Sequence, residues 1–354
     1  LDIVSCRNCS HIFNVQFDRE LVSKIYNNDN YSASLPGSLK MQKRFEYRAK
    51  HVIGHQNITN KVVLEVGTTD FAFSNILLDC GASHIFAFEP STVFTNSNDK
   101  ITLIQDFITT DNIKEFAPNC NLIVMRHVLE HLDQPASILL DFLKYTKKGT
   151  LLYIEVPNIN NILKGSRFYD FFYEHVSYFS PELLYYFFEE LGHHVRKVEC
   201  LINGQHFGIL VENSGYINVK FPDFKTLTFN HNASISNFVR EVNIFEAKFL
   251  DIIETNNNVA IYGAGGHAIS VINKLKLNPL KIRCLFDLSP KKAGKSSPSG
   301  NIPILIPSQH SLSNIDTIII IASLHQMEIF SFLAKDCNFK GNIYGTYPSI
   351  EKLK

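Results

Sequence analysis

Residues 121–158 constrain the fold more than any other stretch of this chain. They read NLIVMRHVLEHLDQP, a helix-like segment, then KKGTLLYIEVPN. An apolar strand runs into a polar turn carrying His127, Glu130 and His131. Asp133 and Pro135 suit a helix start, as N-cap and first-turn residues. Gly149 stops that helix, and a second apolar strand ends on Glu155 and Pro157. Strand, helix and strand in this order make one crossover unit of a parallel sheet. Its polar residues gather where the strands end, the edge at which open α/β sheets bind ligands.

The same rhythm continues on both sides. KVVLEVG (61–67) is a strand running into a turn, FSNILLDCG (73–81) a helix stopped by Gly81, HIFAFEPS (84–91) a second strand and KITLIQDF (100–107) a third. After the opening unit, Ser180 and Pro181 cap another helix. HHVRKVEC and HFGILVEN then read as antiparallel strands at the sheet edge. From 235 to 253 apolar residues fall at helical spacing, as in a connecting helix packed on both domains. NVAIYGAGGHA (258–268) opens a second α/β unit with further strands at 281–287 and 315–323. The expected fold class is α/β, with one Rossmann-like sheet followed by a second Rossmann-like domain. The expected boundaries are an N-terminal segment at 1–45, a first domain at 46–215, a linker and connecting helix at 216–257, and a second domain at 258–354.

Composition narrows the partners. Lys+Arg and Asp+Glu are balanced at 34 each, so no basic excess argues for nucleic acid or an anionic membrane surface. The apolar run at 315–323 is too short to span a bilayer. Seven scattered cysteines do not form a disulfide framework, and no secretory signal opens the chain, so a reducing cytoplasm is expected. Nothing in the sequence sets the oligomeric state.

Chemistry concentrates at the strand ends. Glu65 and Gly67 stand where the first strand turns, followed by Asp70. Glu89 ends the second strand, where a carboxylate can accept both hydroxyls of a ribose, and Asp106 follows the third. The loop from Gly67 to Phe71 is poor in glycine, which suits a nucleoside cofactor better than a dinucleotide pyrophosphate. The wording "vLEHL.dP…G.l.iEvPN" resembles the fourth and fifth motifs of class I S-adenosylmethionine-dependent methyltransferases. That resemblance implies S-adenosylmethionine held by Glu65, Gly67, Asp70, Glu89 and Asp106, with His127 and Glu130 near its methionine end or the acceptor.

A second cluster, GSRFYDFFYEHVSYFSPELL, follows the fifth strand. Histidine titrates near neutral pH, and a neighbouring carboxylate can orient it. The order of "iEvPN", "YEHVSYFS", "nGqHfgilven" and "vaIYGAGGHA…FDlSPKKAGK…IPI" resembles the sugar C-methyltransferases that act on nucleotide-linked deoxyketosugars. The resemblance covers nearly the whole chain. It implies His175 as the base that forms an enolate, assisted by Glu174 and Tyr173. Substrate contacts are expected from Tyr31, in the YSAS segment, and from Asn158, Tyr178 and His206. It also implies that Cys6 and Cys9 are half of a zinc site completed upstream, with no metal bound by this fragment alone. Phe71, Asn121 and Phe172 depart from the family pattern. Two other readings stand beside it. One is an O- or N-methyltransferase of a sugar or polysaccharide precursor. The other is a nucleotide-sugar or NAD-binding protein using Gly263, Gly265, Ala268 and Asp287, a G-x-G-x-x-A fingerprint.

Overall fold

The computed structural model describes residues 1–18, 20, 46–47, 57–68, 71–91, 95, 98–165, 167–215 and 232–354. The chain divides into two compact units. The first comprises Leu1–Ile159 and Tyr173–Phe229, the second Asn160–Phe172 and Asn230–Lys354. This division departs from the expected boundaries at residues 160–172 and at the connecting helix, which both go with the second unit.

In the first unit, β1 (Ile3–Ser5) and β2 (Ile12–Asn14) form an N-terminal hairpin. The sheet proper holds β3 (Val62–Val66), β4 (His84–Phe88), β5 (Ile101–Ile104), β6 (Leu122–Arg126) and β7 (Leu151–Pro157). The helices α1 (Ala72–Asp79), α2 (Thr110–Phe116) and α3 (Pro135–Tyr145) connect them. A two-residue strand β8 (Ser177–Tyr178), helix α4 (Pro181–Glu190), β9 (His194–Leu201) and β10 (His206–Glu212) complete the unit. Among the described residues, seven strands pair in the order β5-β4-β3-β6-β7-β10-β9. The first five are parallel, while β10 runs antiparallel to β7 and to β9, the edge pair read from the sequence. The strand order reverses between β3 and β6, the kind of switch point at which open α/β sheets bind ligands.

Why these residues form these elements is mostly conventional. The central strands are Val- and Ile-rich and bury both faces, as a helix-covered parallel sheet requires. Ser180 Oγ accepts the Leu183 N–H at 3.2 Å, with Pro181 in the first turn, a cap of about 1 kcal/mol. One expected cap differs. Gln134, not Asp133, is the N-cap of α3, and it makes no side-chain cap bond. Helix α3 also ends at Tyr145, before Gly149, which instead takes φ 85 in the turn into β7. Asn121 bridges the N-terminal ends of β3 and β6: its Oδ1 accepts the Val62 N–H and its N–H donates to the Val62 carbonyl. It therefore stands at the end of the strands opposite to Glu65, Glu89 and His127, and registers the sheet.

The second unit opens with α5 (Asn232–Thr255), a 24-residue helix. Its buried Phe245, Phe249, Ile252 and Ile253 share a core with Val259, Ile261 and Val271 of the same unit. Next come β11 (Val259–Tyr262), α6 (Gly266–Lys274), β12 (Ile282–Phe286), β13 (Ile304–Leu305), β14 (Thr317–Ile320), β15 (Asn342–Gly345) and β16 (Glu351–Lys352). Among the described residues these strands pair as β13-β12-β11-β14-β15-β16, parallel except for the last. No helix among the described residues is long and apolar enough to cross a membrane.

Candidate active site

The carboxyl ends of β3, β4 and β6 bring the first group of residues together. Gly67 takes φ 75 and donates its N–H to the Phe88 carbonyl. A Cβ there would lie 2.4 Å from Val128 Cγ2, so only glycine lets this turn pass the one after β6. Glu65 is turned inward and buried, accepting from the Ser74 and Thr68 hydroxyls. It braces the loop onto α1. Phe71, at the start of that helix, is left-handed at φ 58 and packs in the core beside Val63 and Phe73. Glu89 is buried at the end of β4, with Oε1 accepting the Ser91 N–H at 3.0 Å. Asp106 is exposed and accepts from the Phe107 N–H and the Asn112 side chain.

A histidine cluster lies at the ends of β6, β7 and β10. His127 has φ 55, uncommon for a residue with a side chain, and its N–H donates to the Glu155 carbonyl at 2.9 Å. Its ring is held between two carboxylates: Nε2 lies 3.1 Å from Glu155 Oε1 and Nδ1 3.5 Å from Glu130 Oε1. Burial alone would lower its pKa, but the hydrogen bonds to Glu130 and Glu155 outweigh it and hold the pKa above the usual histidine value. Glu155 also accepts from Arg126 and from the Tyr153 hydroxyl. His206, opening β10, meets His127 edge-to-face at 4.8 Å.

His175 is the opposite case. It is 8% exposed, stands edge-to-face with His131 at 4.7 Å and lies 5.8 Å from the Tyr178 ring. Burial, reinforced by repulsion from His131, His127 and His206, pushes its pKa well below the usual value. It is therefore neutral near pH 7, with a lone pair to take a proton. His131, which the sequence reading left without a role, has its Nδ1 3.1 Å from the Glu174 carbonyl. The only signal for it was its place beside Glu130.

Two groups here have ligand atoms mutually within 4.8 Å: His127, Glu155 and His206, and Glu130, His131 and His175. A divalent ion would need carboxylates still in search of charge. Glu155 already holds Arg126 and His127, and Glu130 already faces His127. The His127 ring already occupies both carboxylates. The clusters suit proton handling better than metal binding.

The segment after His175 is built onto the N-terminal hairpin. Strand β8 pairs with β2, Ile12 against Tyr178, and the Asn14 N–H donates to the Val176 carbonyl. His11 Nε2 lies 3.1 Å from Ser177 Oγ. The Tyr173 hydroxyl donates to the Gln16 carbonyl at 3.0 Å. That bond makes Tyr173 a tie between segment and hairpin, which no short-range pattern marks, since β8 is two residues long. Tyr178 is buried against the same hairpin, and Asn158 Nδ2 donates to the Gly204 carbonyl, fixing the turn that leads to His206. Tyr31 and Asp70 lie outside the described residues.

The knuckle itself is formed. The Cys6 N–H donates to the His11 carbonyl, and the Ser10 N–H to the Cys6 carbonyl. Backbone N–H groups of Cys9 and Asn8 hold the Cys6 thiol below its usual pKa, while burial raises that of Cys9.

In the second unit the glycine fingerprint is filled by its own chain. The Asp287 carboxylate accepts from the Ala264 N–H, the Ser289 N–H and Lys292 Nζ. At the start of α6, His267 Nε2 lies 2.7 Å from Asp170 Oδ1, and Asp170 pairs with the buried Arg167. Phe172 stacks on His267, and a Cβ on Gly266 would strike its ring at 2.7 Å. Asp170 and Phe172 thus occupy the helix start where a dinucleotide pyrophosphate would bind.

Residues 40–198 match the model of a methyltransferase domain, and residues 191–346 that of a C-methyltransferase C-terminal domain. The chain is an S-adenosylmethionine-dependent methyltransferase. No curated protein matches this methyltransferase. Solved structures resemble it at a distance. The magnesium protoporphyrin IX methyltransferase of Synechocystis PCC 6803, with bound S-adenosylmethionine, has a TM-score of 0.40 at 10% identity over 57% of this chain and 100% of its own. An S-adenosylmethionine-dependent methyltransferase from Archaeoglobus fulgidus has 0.40 at 17%, over 48% and 94%. One from Mesorhizobium loti has 0.38 at 9%, over 48% and 99%. Likeness this remote says nothing of the substrate. The cofactor is S-adenosylmethionine, and the enzyme's residues suit it. Its ribose hydroxyls and ammonium are donors, and the strand ends offer the carboxylate acceptors Glu89 and Asp106 beside a glycine turn.

Proposed function

We propose that this enzyme methylates a carbon of a nucleotide-linked deoxyketosugar, with His175 as the base. One observation carries the reading: a buried histidine, edge-to-face with His131 beside the strand ends of a methyltransferase sheet. The C-methyltransferase C-terminal domain at 191–346 supports it. Gly67, Glu89, Asp106 and Asp70 hold the cofactor, on a loop that Glu65 braces, and His127 and Glu130 lie toward the acceptor. Bound there, S-adenosylmethionine supplies an electrophilic methyl group. His175 removes the proton from the carbon next to the ketone, leaving an enolate as nucleophile. Glu174 and Tyr173 position His175, Tyr173 through its tie to Gln16. Asn158, Tyr178, His206 and Tyr31 contact the sugar substrate. Cys6 and Cys9 serve as half of a structural zinc site, whose four-ligand geometry needs two more donors.

Deuterium uptake by a nucleoside-diphosphate deoxyketohexose in D2O tests the reading. Wild-type enzyme should catalyse exchange at the carbon that is methylated, and His175→Ala should lose about 10²-fold or more of it while still binding S-adenosylmethionine by calorimetry. Unchanged exchange in the variant would sink the base assignment. Methylation of a sugar oxygen or nitrogen without exchange would favour an O- or N-methyltransferase.

A further inference from the structure

A base as buried as His175 must shed its proton before the next turnover. Burial and the neighbouring His131, His127 and His206 all resist a lasting imidazolium there. Glu130 stands beside it. The Glu130 carboxylate and the ring nitrogens of His131 and His175 lie within 4.8 Å of one another. Glu130 is 1% exposed, and its Oε2 has no hydrogen-bond partner among the described residues. Its Oε1 lies 3.5 Å from His127 Nδ1, and the His127 side chain is 35% exposed. A route therefore runs from a buried nitrogen, through a buried carboxylate, to a ring that reaches solvent.

We propose that Glu130 and His127 form the proton exit from His175 to solvent. The inference rests on His175 being the base. The substrate C–H bond breaks, its proton goes to the His175 ring, and the electron pair stays on the substrate as the enolate. The new N–H bond then breaks and the proton passes to Glu130 Oε2. The separation exceeds a direct hydrogen bond, and one water or a small side-chain rotation spans it. Rotation of the carboxyl group about its soft terminal torsion delivers the proton to Nδ1 of neutral His127. The opposite nitrogen, Nε2, swings off Glu155 Oε1 and releases a proton to water. No electron changes hands, and solvent is the final acceptor. The left-handed backbone of His127 and its bond to the Glu155 carbonyl hold the ring at the mouth of the route. Both residues act through His175 and are positioning residues in this sense.

Two rates separate this role from a structural one. The first is deuterium uptake by a nucleoside-diphosphate deoxyketohexose in D2O with S-adenosylhomocysteine present. The second is methylation in a single turnover, which needs proton removal but not proton release. Glu130→Gln should slow uptake about tenfold or more while the single turnover falls far less, because the captured proton returns to the carbon it left. His127→Asn, at the exposed end, should show the same imbalance in smaller measure. Added formate or imidazole should restore uptake in both variants. Wild-type uptake in both variants, or equal losses in the two rates without chemical rescue, would overturn the exit. Uptake that survives in His175→Ala would overturn the base instead, so the two failures are distinguishable.

Discussion

The two glycine turns, one after β3 and one after β11, look alike in topology and differ in the polar groups gathered around them. The second is the better fingerprint, with Gly263, Gly265, Ala268 and Asp287 at dinucleotide spacing. Yet its acceptor is taken by Ala264, Ser289 and Lys292, and its helix start is covered by Asp170 and Phe172. The first turn is poor in glycine, and its own Glu65 is also taken, by Ser74 and Thr68. What distinguishes it is the neighbouring strand ends, where Glu89, Glu130, His127 and His175 collect. A glycine motif marks a tight strand–helix junction, and whether that junction binds anything depends on how the surrounding polar groups are spent.

The largest effect should come from the acceptors. Glu89→Ala removes a carboxylate from the proposed ribose site, and two charge-assisted hydrogen bonds are together worth about 3 kcal/mol or more. Calorimetric titration should show S-adenosylmethionine affinity falling by about a hundredfold or more. Asp287→Ala should leave that affinity unchanged and lower the melting temperature, since it strips three donors of their partner. Equal losses of affinity would erase the distinction between the turns.

Glycine replacements come next. Gly67→Ala places a methyl group 2.4 Å from Val128 Cγ2 at φ 75, and should cost about 1–3 kcal/mol of stability in a denaturant melt. Gly265→Ala, with Lys292 Nζ 4.0 Å away and an extended backbone, should stay within about 0.5 kcal/mol of wild type. Gly265 is the position at which a dinucleotide site needs closest backbone approach. NAD should accordingly produce no heat in the same titration cell, and saturable binding abolished by Gly265→Ala would restore the second turn as a nucleotide site.

The first unit's edge also depends on a brace from the N-terminal hairpin. Asn14 is buried, its Oδ1 accepts the Gln16 N–H at 3.1 Å, and its Nδ2 donates to the Tyr173 carbonyl at 3.5 Å, two residues before His175. Asn14→Ala should cost about 1–2 kcal/mol in a thermal melt through unsatisfied buried groups. It should lower kcat more than S-adenosylmethionine affinity, since the brace touches the proposed base segment and not the glycine turn.

Much of this was legible in the sequence, for a physical reason. Parallel strands buried on both faces write continuous apolar runs, so 61–67, 84–91, 121–126 and 151–157 announced themselves, and with them the edge carrying Glu89 and His127. Short-range patterns said nothing of pairings set by tertiary context. Strand β8 is two residues long and exists because β2 lies beside it. Residues 160–172 sit between two first-unit segments, yet they pack in the second unit through Asp170, Arg167 and Tyr169. Tyr173 reads as catalytic beside Glu174 and His175, and only the fold reveals that its hydroxyl is engaged by Gln16. The opposite environments of His127 and His175 were likewise invisible, because both are histidines in polar turns until burial and carboxylates separate them.

That separation gives the smallest effect and the sharpest sign. His127 has its folded pKa raised against burial by Glu130 and Glu155, with His206 as the other titratable neighbour. Its stabilising contribution is complete below the unfolded value of about 6.5 and fades as pH rises through the raised folded value. His175 has its folded pKa depressed by burial and by His131, His127 and His206. The unfolded chain takes up a proton there that the folded protein refuses, so its contribution is present above about 6.5 and is lost as pH falls below it. Thermal melts of His127→Gln and His175→Gln beside wild type, from pH 5 to 9, should show gaps that change in opposite directions. The His127 gap should narrow toward alkaline pH, and the His175 gap should narrow toward acid. The second unit supplies the control: Asp287→Asn lacks a histidine partner, so its gap from wild type should stay nearly flat over the same range. Parallel trends for the two histidines would mean that one environment governs both, and the contrast drawn between the two turns would lose its chemical content.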